Sequence, residues 1–165
     1  MIRRPPRSTL SSSSAASDVY KRQTIAPICL GMAERALELT IEFAKTREQF
    51  GKPIASFQMI QSKIADMYVW VEAIKALNFK VLAEVNELEV GEGGRGMVHA
   101  NTAASIMYAA NTLNRVLDEA VQVHGGAGYI WESEINRLYR GNKLLEIGAG
   151  TTEVRKMIIS RELLK

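Results

Sequence analysis

The feature that most constrains this chain is an unbroken apolar stripe at steps of three and four residues. It runs Phe57, Ile60, Ile64, Met67, Val71, Ile74, Asn78, Val81, Val85 and Leu88. That spacing places the residues on one face of an α-helix, and it holds for about nine turns at 3.6 residues each. A helix so long buries its stripe only against other long helices, as in a bundle. Ser56 is the expected N-cap.

The neighbouring segments repeat the pattern. Ile25, Cys29, Met32, Ala36, Leu39 and Phe43 form the stripe of a first helix, with Glu34, Glu38, Glu42 and Lys45 on its wet side. Gly51 and Pro53 predict its end near Arg47. Gly91, Gly93, Gly94 and Gly96 predict a turn. A third helix is expected from Met97 to His124, rich in Ala100, Ala103, Ala104, Ala109, Ala110 and Ala120. Small side chains allow close approach, so this helix is expected centrally or at a subunit interface. Gly125, Gly126 and Gly128 end it. A short helix is expected over Ser133–Arg140. A last helix follows Gly148-Ala149-Gly150, with Val154, Met157, Ile158 and Leu164 inward. With almost no strand signal, the expected class is all-α, an up-and-down four-helix bundle.

Charge separates the first 23 residues from the rest. They hold Arg3, Arg4, Arg7, Lys21 and Arg22 against Asp18, a net of +4, so a chain net of +3 leaves residues 24–165 at −1. A basic nucleic-acid-binding face is therefore disfavoured. Ser11–Ser14 and the lack of apolar periodicity read as a disordered leader. Richness in Arg and Ser also suits a mitochondrial presequence. Against that, no amphipathic helix is evident, and the segment also resembles translated sequencing-adapter sequence. The expectation is a disordered, non-native leader over 1–23, with the folded domain spanning 24–165. The one cysteine, Cys29, and two distant histidines, His99 and His124, offer no disulfide framework or metal-ligand spacing. No apolar run reaches the ~20 residues of a membrane span.

Three segments could carry chemistry. Arg47-Glu48-Gln49-Phe50-Gly51-Lys52-Pro53 is first of all a turn, but Arg47 could offer a donor fork to phosphate and Phe50 a face to a ring. Gln122-Val123-His124-Gly125-Gly126 is either a helix stop or a place where backbone approaches a ligand. Gly148-Ala149-Gly150-Thr151-Thr152-Glu153 precedes a helix, where free N–H groups favour an anion. There Thr151 or Thr152 could simply be the N-cap.

The strings TREQFGKPIASFQMIQSKIADM, QVHGGAGYI and LLEIGAGTTEVRKMIISREL, in this order, resemble the C-terminal domain of the acyl-CoA dehydrogenase family over about Thr24 to Lys165. The resemblance implies FAD as cofactor, bound between subunits. It places Arg47 at the pyrophosphate, Phe50 near the adenine end and Gln58 at another flavin contact. Gln122, Val123, His124, Gly125 and Gly126 match the stretch that wraps a neighbouring subunit's cofactor. Thr151, Thr152 and Glu153 match the flavin-contacting turn, and Ala149 and Gly150 match substrate-side positions. The implied partners are an acyl-CoA, electron-transferring flavoprotein and further copies in a tetramer. The implied location is the cytoplasm in a bacterium or the mitochondrial matrix in a eukaryote.

The implied reaction is α,β-desaturation, in which a carboxylate takes the α-proton and a hydride passes to flavin N5. In many members the base is a Glu where this chain has Ala149, and alanine cannot take a proton. IGAGTTEVR is instead similar to the isovaleryl-CoA dehydrogenase group, whose base stands at the start of the first helix of this domain. Counting back ten residues from Gly31 gives Lys21. The expectation is that the native Glu was lost at the junction with the leader and that this chain alone is inactive. A free-standing bundle used for assembly or binding is the alternative, and an oxidase of the same superfamily a third. Whether the native gene continues upstream into a flavin-binding β domain separates the first two readings, and a native lysine at position 21 with no other carboxylate nearby would rule out the lost-base explanation.

Overall fold

The computed structural model describes residues 12–87 and 95–165, with side chains over 24–87 and 95–165. Its elements are α1 (Ser12–Thr46), β1 (Glu48–Gln49), β2 (Lys52–Pro53), a 3-10 turn (Ile54–Ser56), α2 (Gln58–Asn86), α3 (Met97–His124), α4 (Gly126–Tyr129), α5 (Glu134–Ile147) and α6 (Thr152–Leu163).

Side-chain pairs give the direction of each helix. Phe43 near the end of α1 stacks on His124 at the end of α3, so these two helices run parallel. α2 runs against α3, because Lys63 meets Glu119 while Ser105 Oγ donates to Asn78 Oδ1 at 2.7 Å and Asn101 to Glu84 at 2.7 Å. α5 and α6 form the fourth column, also against α3. Asn142 on α5 donates to the Ala110 carbonyl and to Asn114 Oδ1, and Glu162 on α6 accepts from the Gly96 amide at the head of α3. The result is the expected up-down-up-down bundle, with its last column cut into two helices.

α3 is the axle. Ala100, Ala103, Ala109, Ala110 and Ala120 are buried, as are Ile106, Leu113, Val116 and Leu117 between them. Cys29, Ala33 and Ala36 from α1, Met67, Val71 and Ile74 from α2, and Ile135 from α5 complete one continuous core. Small residues on both α1 and α3 bring the two backbones close, and larger aliphatic residues fill the remaining space.

Several expectations change. α1 begins at Ser12 rather than near Thr24, so residues 12–23 of the expected disordered leader are helical; residues 1–11 lie outside the described residues. Extending an existing helix costs little and needs no apolar stripe. α1 also contains Pro27, which removes one intrahelical N–H donor. Ser56 is not a cap. It ends the 3-10 turn, and Phe57 stands at the head of α2 without a side-chain cap bond. The α2 stripe is buried from Met67 to Val81, whereas Leu88, Gly91, Gly93 and Gly94 lie outside the described residues. The short helix expected over Ser133–Arg140 extends to Ile147.

The last helix turns most of its expected face outward, although Ile158 stays half-buried. Val154, Met157 and Leu164 are exposed, Met157 to 69%, and the buried residue of α6 is Arg155. Apolar spacing shows that a face exists but not which surface covers it.

Substituting Ala109→Leu is expected to cost about 1–3 kcal/mol, because the α1–α3 contact has no room for three more carbons. Urea denaturation of the two chains checks this, and an unchanged midpoint would show that the helices do not meet through these alanines.

Candidate functional site

The turn after α1 is a two-residue β-hairpin, with Glu48 opposite Pro53 and Gln49 opposite Lys52. Its central residues, Phe50 (φ 54°) and Gly51 (φ 76°), both take the left-handed conformation that such a turn requires. Glycine does so freely, but phenylalanine is strained there. Phe50 is 92% exposed, with its ring edge-on to Phe57 at 6.1 Å between centroids. Lys52 Nζ lies 4.5 Å from the centre of the Phe57 ring. Arg47 and Gln58 are exposed on either side of the hairpin, and Arg47 pairs with no acid among the described residues. This corner is cationic and aromatic, with the uncapped N–H groups of α2 beside it.

The end of α3 belongs to the same corner. Val123 packs in a small core with Ala44 and Ile54, bordered by Phe43, Phe57 and Ile60. The His124 ring lies 4.4 Å from that of Phe43, at 25° between planes. Its Nδ1 is 2.7 Å from the Ala120 carbonyl, which can only accept, so Nδ1 carries a proton. Gln122 is exposed. The glycines that follow have separate reasons. Gly125 has φ 57° and closes α3 through its amide to the Val121 carbonyl at 2.9 Å. A Cβ on Gly128 would stand 2.8 Å from the Cβ of His124. Gly126 is exposed, has no left-handed backbone, and a Cβ there would meet nothing within 4 Å. Neither the backbone nor packing within this chain requires glycine at 126. A ligand approaching the main chain would.

The third segment lies elsewhere. Ala149 (φ 52°) and Gly150 (φ 106°) turn the chain from α5 into α6. Thr151 occupies the N-cap position without capping a backbone amide through its side chain. The Glu153 carboxylate accepts instead, from its own amide and from the Thr151 hydroxyl, and these bonds hold it below the usual carboxylate range. Thr152 is half-buried as the first residue of α6. Beneath the turn, Arg155 is 1% exposed. Its Nη1 donates to the Glu146 carbonyl at 3.2 Å, and its Nη2 to those of Leu145 at 3.0 Å and Gly148 at 2.8 Å. Glu146 is itself buried, and its carboxylate accepts from Asn114 at 2.6 Å and from Lys143.

These contacts set the turn beside Ala110–Asn114 of α3. At 1.5 Å per residue that is roughly 15–20 Å from His124. One copy thus brings Arg47, Phe50 and Gln58 together with Gln122–Gly126, and leaves Ala149–Glu153 half-way down the bundle. Lys21 lies in α1, among the residues whose side chains are not described. Among the described residues, no group of three His, Cys, Asp or Glu is placed to hold a metal ion, and no helix is long and apolar enough to cross a membrane.

Sequence reasoning missed Arg155, Glu146, Asn114 and Asn142. The one available signal was a long cation inside an otherwise apolar spacing. That pattern ordinarily marks a wet face, so it pointed the wrong way.

The Glu153 carboxylate is expected to titrate below the ordinary ~4.3. Its bonds stabilise the start of α6 above that pH and are lost as pH falls through the lowered value. Following the carboxyl carbon by NMR checks this, with Glu153→Gln removing the transition. A midpoint at or above the ordinary value would rule out the bonded carboxylate.

A model of the acyl-CoA dehydrogenase C-terminal domain matches residues 19–164. A probable acyl-CoA dehydrogenase YngJ of Bacillus subtilis is 37% identical over 146 residues, covering 87% of this chain and 36% of the relative. A mitochondrial isovaleryl-CoA dehydrogenase of Oryza sativa subsp. japonica is 38% identical over 145 residues, covering 88% and 34%. The butyryl-CoA dehydrogenase structure of Megasphaera elsdenii superposes with a TM-score of 0.83 at 35% identity, covering 92% of this chain and 38% of that one. The chain therefore spans about a third of the length of these relatives.

Proposed function

The chain belongs to the acyl-CoA dehydrogenase family, as its C-terminal domain, and from that premise we propose that it is the cofactor-embracing part of a flavin-dependent acyl-CoA dehydrogenase. The observation that carries this reading is the corner where the hairpin and the end of α3 meet. There an exposed guanidinium and an exposed phenyl ring stand beside a glycine that neither backbone nor packing explains.

The residues present suit FAD. Arg47 would bind the pyrophosphate through a charge-assisted fork. Phe50 would lie against the adenine end, and Gln58 would add a polar contact. Gln122 to Gly126 would offer main chain at close range to a cofactor held mainly by another subunit. The Gly148–Glu153 turn would meet the flavin through Thr151, Thr152 and Glu153, and the acyl-CoA at Ala149 and Gly150. Bound FAD would supply the acceptor for the substrate's β-hydride, and electron-transferring flavoprotein would take the electrons onward. The roughly 15–20 Å between corner and turn suits a cofactor shared by two copies, each contributing a different segment.

No described side chain is offered as the catalytic base. Ala149 has no proton acceptor, and the alternative position falls on Lys21, a cation in water at neutral pH. The proposed base is a carboxylate of the native gene at this place, which leaves this chain inactive alone. The similarity of IGAGTTEVR to the isovaleryl-CoA dehydrogenase group favours a short branched acyl-CoA. Exposed Trp131, Leu144, Met157 and Leu164 favour a larger assembly that covers them.

Purified alone, the chain is expected to retain much less than stoichiometric FAD after desalting, read as absorbance in the flavin bands, because half of each site lies in other domains. Stoichiometric retention would overturn the fragment reading. When joined to the native upstream domains, the protein is expected to bind FAD, and Arg47→Ala to weaken that binding about tenfold or more, the ~1.4 kcal/mol or more of a charge-assisted bond. Unchanged affinity would remove Arg47 from the site.

A further inference from the structure

Arg155 is the largest of the fully buried side chains among the described residues. Removing a guanidinium from water carries a heavy penalty unless its donors are well matched. Its partners include the carbonyls of Leu145, Glu146 and Gly148, which end α5. The last carbonyls of a helix lack intrahelical partners and form the negative end of its dipole.

An ordinary helix end is closed by the residues that directly follow it. Here the donor comes from the next helix, seven to ten residues further on. Its bonds therefore span the whole turn and fix the start of α6 relative to the end of α5. Two residues inside that span, Ala149 and Gly150, have positive φ. For alanine this conformation is strained, and such strain persists only where the surroundings enforce it. α5 is in turn tied to α3, because the Glu146 carboxylate accepts from Asn114 while its carbonyl accepts from Arg155.

We propose that Arg155 is a positioning residue for the Gly148–Thr152 turn. Its fork holds Ala149 left-handed, and so sets where the first free N–H groups of α6 are presented. A flat, multi-donor group suits this task. A lysine ammonium can replace the charge but not the fixed fork that reaches three carbonyls at once. That the presented groups serve a flavin and an acyl-CoA rests on the function proposed above, but the locking of the turn does not.

The test uses the isotopically labelled chain without flavin. Its readout is the Cα and Cβ chemical shifts and the amide–Hα coupling of Ala149, which distinguish left-handed from extended backbone. Arg155→Lys and Arg155→Gln are expected to abolish the left-handed signature and speed exchange of the position-155 amide at least tenfold, while α2 and α3 keep their protection. A left-handed Ala149 in both folded variants would overturn the proposal. If Arg155→Gln unfolds the chain, Arg155→Lys decides alone. If both variants unfold the bundle, Arg155 serves the global core and the proposal is likewise overturned. With flavin absent, a failure here leaves the proposed function standing, and failure of the flavin titration leaves this result standing.

Discussion

The close approach of α1 and α3 is the constraint on which the rest of the structure depends. Ala33, Ala36, Ala109 and Ala110 are all fully buried. Where side chains are this short, packing is between backbones and Cβ atoms, and tolerance for added volume is low. The same thinness lets the fourth column reach in. Asn142, itself fully buried, donates to the Ala110 carbonyl, a backbone atom that a larger neighbouring side chain would screen. Through Asn142, Asn114 and Glu146 the position of α5 is referred to α3, and through Arg155 that of α6 is referred to α5. The placement of the Gly148–Glu153 turn is the last term in this series.

The long helices were legible because each repeats its signal many times. α3 begins at Met97 and ends at His124, as spacing and glycines predict. Where the structure depends on one residue, legibility falls. Phe50 in a left-handed hairpin position opposes its own preference, and the chain shows a tight hairpin where spacing suggested only a turn. Pro27 inside α1 opposes helix continuation, yet α1 runs through it. Arg155 opposes the rule that cations face water. In the case of Arg155 the local preference is overridden by carbonyl partners on the preceding helix, and no single-chain periodicity encodes such a partner.

The candidate site shows the same division. Resemblance selected the residues, but spacing could not say which of them meet. Phe43 on His124 and Val123 on Ile54 draw two of the three segments into one corner. The glycines also separate on physical grounds: Gly125 by backbone, Gly128 by contact, and Gly126 by neither. A glycine whose presence the fold does not explain is more informative about a ligand than one that merely ends a helix.

The cut in the fourth column has a mechanical consequence. A four-helix bundle of whole columns loosens as one cooperative body, since each helix supports the others along its full length. Here α6 is a twelve-residue segment with Val154, Met157 and Leu163 turned outward. It joins the remainder through the Arg155 fork at one end, through Glu162, which accepts from the Gly96 amide, at the other, and along α3 between them, where Ile158 and Ile159 are half-buried. A short terminal segment that leaves much of its apolar surface outward buries less than a whole column would, and opens at lower free energy than the three long helices. The domain thus contains a rigid axle and a short clasp, and the clasp is the part that can yield without loss of the fold.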